Sequence, residues 1–199
     1  MKITSFLIMI TFSLCASLCG CPTEEIYEQI NILNNNIIKI ENNQNTFKLG
    51  DKLNLKISID NQQVTTNNKT ILLSDYISTT NSEKATIYNY FILYKKTNFN
   101  TFAKIPITND VIEILNGTVT TSNEYIQVKS FLKDDKFVSE FKISLLESGT
   151  FYLSGNNFYD SDINGKTYFN VNSTPNTNIS LLSNIVNSDE KNLYKFTVN

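Results

Sequence analysis

Residues able to carry chemistry are few in this chain and widely spaced. Asp160-x-Asp162-x-Asn164-Gly165 sets side-chain oxygens at alternate positions ahead of a glycine, the first half of a calcium-binding loop. The twelfth position of such a loop supplies a bidentate glutamate. Here it is Val171, so a calcium site must draw oxygens from elsewhere. An Asn-Gly hairpin turn dressed with solvated aspartates accounts for the same residues. Calcium is the one ion the sequence points to, and no other cofactor is expected. Tyr88, Tyr90 and Tyr94 recur at even spacing, with Phe99 and Phe102 close behind. An exposed row of such rings stacks on sugars, whereas the same spacing in a central strand also describes core between two sheets.

Catalysis has little to work with. The 17 basic residues are all Lys, and His and Trp are absent. Without His there is no side chain that titrates near neutrality, and without Arg no bidentate anion clamp. No Cys/His set can hold zinc. No Ser-x-x-Lys, Gly-x-Ser-x-Gly or glycine-rich phosphate loop occurs. Carboxylates pair at Asp134-Asp135 and Asp189-Glu190, both in turn-like surroundings where solvation explains them. A carboxylate-dependent hydrolase is the only enzymatic alternative left, and a non-enzyme is expected. The formal charge of −2 is too small to imply nucleic acid as a partner.

Periodicity gives the elements that would position these groups. Leu53, Leu55, Ile57 and Ile59 alternate with polar residues, the pattern of a half-buried strand behind a Gly50-Asp51 turn. Ile87 to Tyr94 is apolar on both faces and reads as a central strand. Phe102–Ile107, with Pro106, reads as an edge strand, and Val111–Leu115 as another short strand. Tyr125–Leu132 and Phe137–Leu145 flank Lys133-Asp134-Asp135-Lys136 as a hairpin. Residues 60–85 read as a long polar connection. Ile26, Ile30, Leu33 and Ile37 fit a short helix, while Ile30 and Ile32 equally fit a strand.

The N-terminus carries the sharpest signal. Lys2 precedes an apolar run from Ile3 to Leu18, too short to span a bilayer and ending in small residues, as a cleavable signal does. Leu18-Cys19-Gly20-Cys21 resembles the bacterial lipobox, which implies cleavage before Cys21 and diacylation of its sulfur. Two or more acyl chains hold a protein stably to a membrane. The mature chain would then have no free thiol and no internal disulfide. Glu24-Glu25 resembles the acidic tag of surface lipoproteins of the Bacteroidota, and Pro22 favours the outer membrane over inner-membrane retention. The expected organisation is a signal peptide over 1–20, a lipidated tether over 21–36 and one domain over 37–199.

Phe141-x-Ile143-x-Leu145 running into Ser148-Gly149-Thr150-Phe151 resembles the turn between the fifth and sixth strands of immunoglobulin-like and fibronectin-like sandwiches. The resemblance implies an all-β, antiparallel immunoglobulin-like β-sandwich with Leu193–Val198 as its last strand. Residues 156–191 form a long insertion before that strand, with an extra strand at Tyr168–Val171 and a strand or helical turn over Ile179–Val186. Connections of this length are often functional. Together these readings imply an exported, lipid-anchored module for binding or structure, with a protein or a glycan as the expected kind of ligand.

Overall fold

A computed structural model describes residues 28–79, 85–122, 124–156, 165–171, 173–174 and 176–199. The signal peptide, Cys21 and the candidate calcium residues Asp160, Asp162 and Asn164 lie outside them. The first strands are β1 (Glu28–Leu33), β2 (Ile38–Ile40), β3 (Thr46–Phe47) and β4 (Lys52–Asp60), followed by a small hairpin, β5 (Gln62–Val64) and β6 (Thr70–Leu72). The long β7 (Thr86–Lys96) leads to β8 (Phe102–Lys104), β9 (Ile112–Asn116) and β10 (Thr118–Thr121). The remainder comprises β11 (Ile126–Lys133), β12 (Lys136–Ser144), β13 (Gly149–Ser154), β14 (Thr167–Val171), β15 (Thr177–Ser183) and β16 (Tyr194–Val198).

The immunoglobulin-like β-sandwich expected from the sequence is the fold found, mostly antiparallel, with sheets that curl. β7 joins its parts. On one side β7 pairs with β14 at Ile87–Asn89 and then with β13 at Ile92–Lys95. On its other side it pairs with β11 over Thr86–Phe91 and then with β8 from Tyr94. Both neighbours of β7 therefore change near Phe91. The sheet continues through β12, β4 and β2, and curls until Ile38 meets Ile185.

The alternation of β4 is realised in full, with Leu53, Leu55, Ile57 and Ile59 all buried. They pack with Phe137, Phe141 and Ile143 of β12 and with Phe151 and Phe196 across the sandwich. Phe151 stacks on Phe196 at 5.4 Å, and Phe47 meets Phe196 edge-on at 5.6 Å. The inward aromatic of the Gly149 turn is thus core.

Two regions differ from the periodicity. The strand alternative wins for Ile30 and Ile32, because β15 offers a parallel edge that buries both: Ile30 lies opposite Ile179 and Ile32 opposite Leu181. The sheet thus begins ahead of the boundary expected at residue 37. The polar connection after β4 folds back as the β5–β6 hairpin and a helical turn over Leu73–Tyr76, pinned by the Asn61 side chain to Ser74. Within the insertion, Ile179 belongs to a strand, because alternate side chains of β15 are buried against the core.

Tyr194 fastens the last strand through its hydroxyl. Almost wholly buried, Tyr194 donates its phenol to the Gln44 carbonyl at 2.8 Å and so ties the last strand to the segment ahead of β3. Burial pushes its pKa above the ordinary value of about 10. A raised pKa in the folded state means that only the neutral phenol favours folding. That contribution is complete below about pH 10 and is lost as pH rises through the folded pKa. Tyr194→Phe is expected to lose about 1 kcal/mol at neutral pH. Urea titrations should also show its stability falling less steeply than the parent's above about pH 10.

Candidate functional site

A continuous sheet face has no pocket, and this one acquires a cleft where β7 changes neighbours. Around Tyr90 and Ile92 the flanking strands part, leaving a solvent-open cleft of about 300 Å³. Tyr90 and Ile92 lie between its banks, Tyr168 and Asn170 come from β14, Tyr125 from the entry to β11, and Gly155 and Asn156 from the exit of β13. The register explains the placement. Tyr90 faces Gln127 across β7 and β11, and Tyr88 faces Asn170 across β7 and β14. Successive side chains alternate faces, so Tyr88, Tyr90, Gln127, Lys129, Tyr168 and Asn170 share the outer surface while Asn89 and Phe91 point inward.

The rings are held in defined positions. Tyr90 and Tyr125 meet edge to face at 5.1 Å and 88°. The Gln127 amide donates to the Tyr90 hydroxyl at 2.9 Å. Tyr125 and Tyr168 stay open to solvent, at 42% and 48% exposure. The lining among the described residues carries no formal charge: it consists of tyrosines, asparagine amides, an isoleucine and a glycine. The Lys129 ammonium is engaged beside it, 5.2 Å from the Tyr88 ring centre and 5.6 Å from that of Phe131.

Of the tyrosines singled out by spacing, Tyr90 lies in the cleft and Tyr88 beside it, both half-buried. Tyr94 does not join them. It is fully buried in a second cluster with Ile92 and Leu193, packed by Phe102 and Tyr152. Beyond Phe91 the same face of β7 is covered by the approach to β16, so one row of rings is open at one end and core at the other. Tyr168 lies in the 156–191 insertion, where a recognition surface was anticipated. Tyr125 carried no signal of its own in the sequence: it reads there as the first residue of a hairpin arm.

Among the described residues the carboxylates are dispersed. Asp134 and Asp135 occupy the exposed β11–β12 turn with positive φ of 49° and 59°. Asp189 accepts from the backbone N–H groups of Lys191 and Leu193, each at 2.9 Å, and so shapes its own loop. Glu113 is paired with Lys52 at 2.7 Å on the surface, and that hydrogen bond, with the nearby Lys142 charge, holds its carboxyl below the usual range. Among the described residues no group of three or more potential ligands is placed to hold a metal. Gly165, the end of the calcium-like stretch, packs its backbone closely against Lys191 and Asn192.

No protein-family model matches the sequence, and no curated protein matches it. Among solved structures, the reeler domain of human F-spondin is similar over 91% of this chain and 100% of its own, at 8% identity and a TM-score of 0.39. A non-cellulosomal cohesin from the archaeon Archaeoglobus fulgidus is similar over 77% and 92%, at 12% identity and 0.30. A type II cohesin domain from the cellulosome of Acetivibrio cellulolyticus is similar over 75% and 95%, at 11% identity and 0.28. The likeness is to β-sandwich domains and extends to no ligand or activity.

Proposed function

We propose that this chain is an exported lipoprotein, held at the outer membrane through Cys21, whose β-sandwich is a non-enzymatic binding module with its ligand surface at the β7 cleft. The observation that carries the binding assignment is the pair of open tyrosines, Tyr125 and Tyr168, on opposite banks of one cleft. Neither belongs to the buried core. Convergent rings with a few amides are the usual make-up of a ligand site. The scatter of the carboxylates among the described residues favours binding over hydrolysis.

The anchor supports an orientation. Glu28, the start of β1, follows Cys21 by about seven positions, and so short a stretch spans at most about 25 Å. The end of the sandwich that carries Glu28 also carries Ile87 of β7 and the β11–β12 turn, through the registers of β15, β14 and β11. That end faces the bilayer. The opposite end, with exposed Leu49, Phe99 and Leu146, points away, and the cleft opens on the flank between them. Among the described residues no helix is long and apolar enough to cross a membrane.

The test places a photo-crosslinking residue at Tyr125, Tyr168 or Leu146 in cells making the full chain, in the parent and in Cys21→Ser. Discrete adducts are expected from positions 125 and 168 and not from 146, and Cys21→Ser should leave the membrane fraction. Adducts of equal yield from all three positions, or none, would overturn the cleft assignment. A Cys21→Ser chain that still sediments with membranes would overturn the anchor.

A further inference from the structure

We infer that the β7 cleft takes a neutral glycan, one or two pyranose rings within a longer chain, an assignment that rests on the cleft being the ligand surface. A pyranose ring has two kinds of surface, C–H faces that pack on aromatic rings and an equator of hydroxyls that both donate and accept hydrogen bonds. The cleft offers the complement of each. Tyr168 and Tyr125 present exposed rings from the β14 and β11 sides. Asn170 supplies a side-chain amide, which donates and accepts as hydroxyl partners must. The Tyr90 hydroxyl already accepts from Gln127, which leaves its proton free to be donated outward.

Charge and size narrow the class. No lining side chain among the described residues carries a formal charge, so none of them pairs with a uronate, a sulfate or a phosphate. Lys129, the nearby cation, sits over the Tyr88 and Phe131 rings. A volume of about 300 Å³ is at the small end of ligand sites and suits sugar units better than a large ligand. A protein partner of ordinary size occupies about 800 Å² of each surface and centres on a dry apolar pocket. The most exposed large apolar side chains are elsewhere, at the far end of the sandwich, as Phe99, Leu146 and Leu49.

Electrophoresis of the purified full chain, in detergent, through gels cast with mannan, xylan or mixed-linkage β-glucan tests this, with alginate as the anionic probe. Retardation by at least one neutral polysaccharide is expected, unchanged between low and high salt. Tyr168→Ala and Tyr125→Ala should each weaken it at least tenfold, whereas the distant Leu146→Ala should match the parent. Melting temperatures of the variants check that each is folded. Migration unaffected by every neutral polysaccharide, retardation by alginate alone, or a Tyr168→Ala chain held back like the parent would each overturn the glycan assignment. If the crosslinks from positions 125 and 168 persist while no polysaccharide retards the chain, the cleft remains a binding surface for another ligand class. If both are absent, the two assignments fall together.

Discussion

Gly155→Ala unfolds at a markedly lower urea concentration than the parent, having lost about 3 kcal/mol or more of stability. A β-carbon on Gly155 would lie 2.6 Å from Thr167 Cβ and closer still to the Thr167 Cα and Oγ1. Neither side can give way. Thr167 is wholly buried at the start of β14, and Gly155 donates its N–H to the Gly165 carbonyl at 3.1 Å while Gly165 donates to Lys191 at 2.8 Å. Three chain segments are stacked backbone to backbone at this point: the exit of β13, the entry to β14 and the approach to β16. The effect should reach the cleft as well, because Gly155 lines it and Tyr168 follows Thr167 directly. An unchanged urea midpoint would show that β13 and β14 can separate freely, and the cleft would then lack a fixed bank.

Gly117→Ala carries the second large effect, an expected loss of about 3–5 kcal/mol from two sources that act together. Gly117 has φ of +84°, a conformation that resists any β-carbon. Its β-carbon would also lie 2.7 Å from the Lys129 carbonyl oxygen and 2.7 Å from Ser139 Cβ. The cause lies in the β11–β12 hairpin, whose arms pair only near the turn, from Phe131–Val138 to Lys133–Lys136. Beyond that they fork. β10 follows β11 and β9 follows β12, and the bend between β9 and β10 is lodged in the fork at Gly117. Ser130 and Ser139 close the fork from inside with a buried hydrogen bond of 3.0 Å. Calorimetry of Gly117→Ala beside Gly50→Ala separates the two sources. Gly50 also has positive φ, +90°, but open space around it, so its variant should lose only the conformational part.

These glycines show which parts of the fold a sequence discloses. Alternation along β4 and β12 and the two-faced apolar run of β7 are local properties, and each predicts its strand because burial follows period two. The extra strand at Tyr168 is legible in the same local way, and the edge character of β8 is legible from Pro106, which cannot donate to a ladder. Gly117 and Gly155 give no such sign, since their necessity comes from segments far away in the chain. The parallel β1–β15 pair is hidden likewise: two short Ile- and Leu-bearing segments become strands only when laid side by side.

The cleft was legible in part. Tyr88, Tyr90 and Tyr94 look equivalent by spacing, and they separate because β7 exchanges both neighbours midway. Leu193 and Tyr152 then cover Tyr94, while Tyr90 stays beside the gap. Tyr125 enters through the β11 register, which no period-two reading supplies. Asn89 makes the same point from the inside. It falls within a run that reads as apolar on both faces, yet it is fully buried and neither of its amide atoms has a hydrogen-bond partner within the protein.

The central claim is that the ligand surface lies where β7 changes hands, and tyrosine footprinting by brief radical oxidation tests it most directly. Modification rates are compared between the purified chain and the same chain in the envelope of the cells that make it. Tyr125 and Tyr168 should be protected several-fold in the envelope, while exposed Phe99 keeps its rate and buried Tyr94 stays slow in both. Equal rates for Tyr125 and Tyr168 in the two settings, or protection confined to Phe99, would contradict the account.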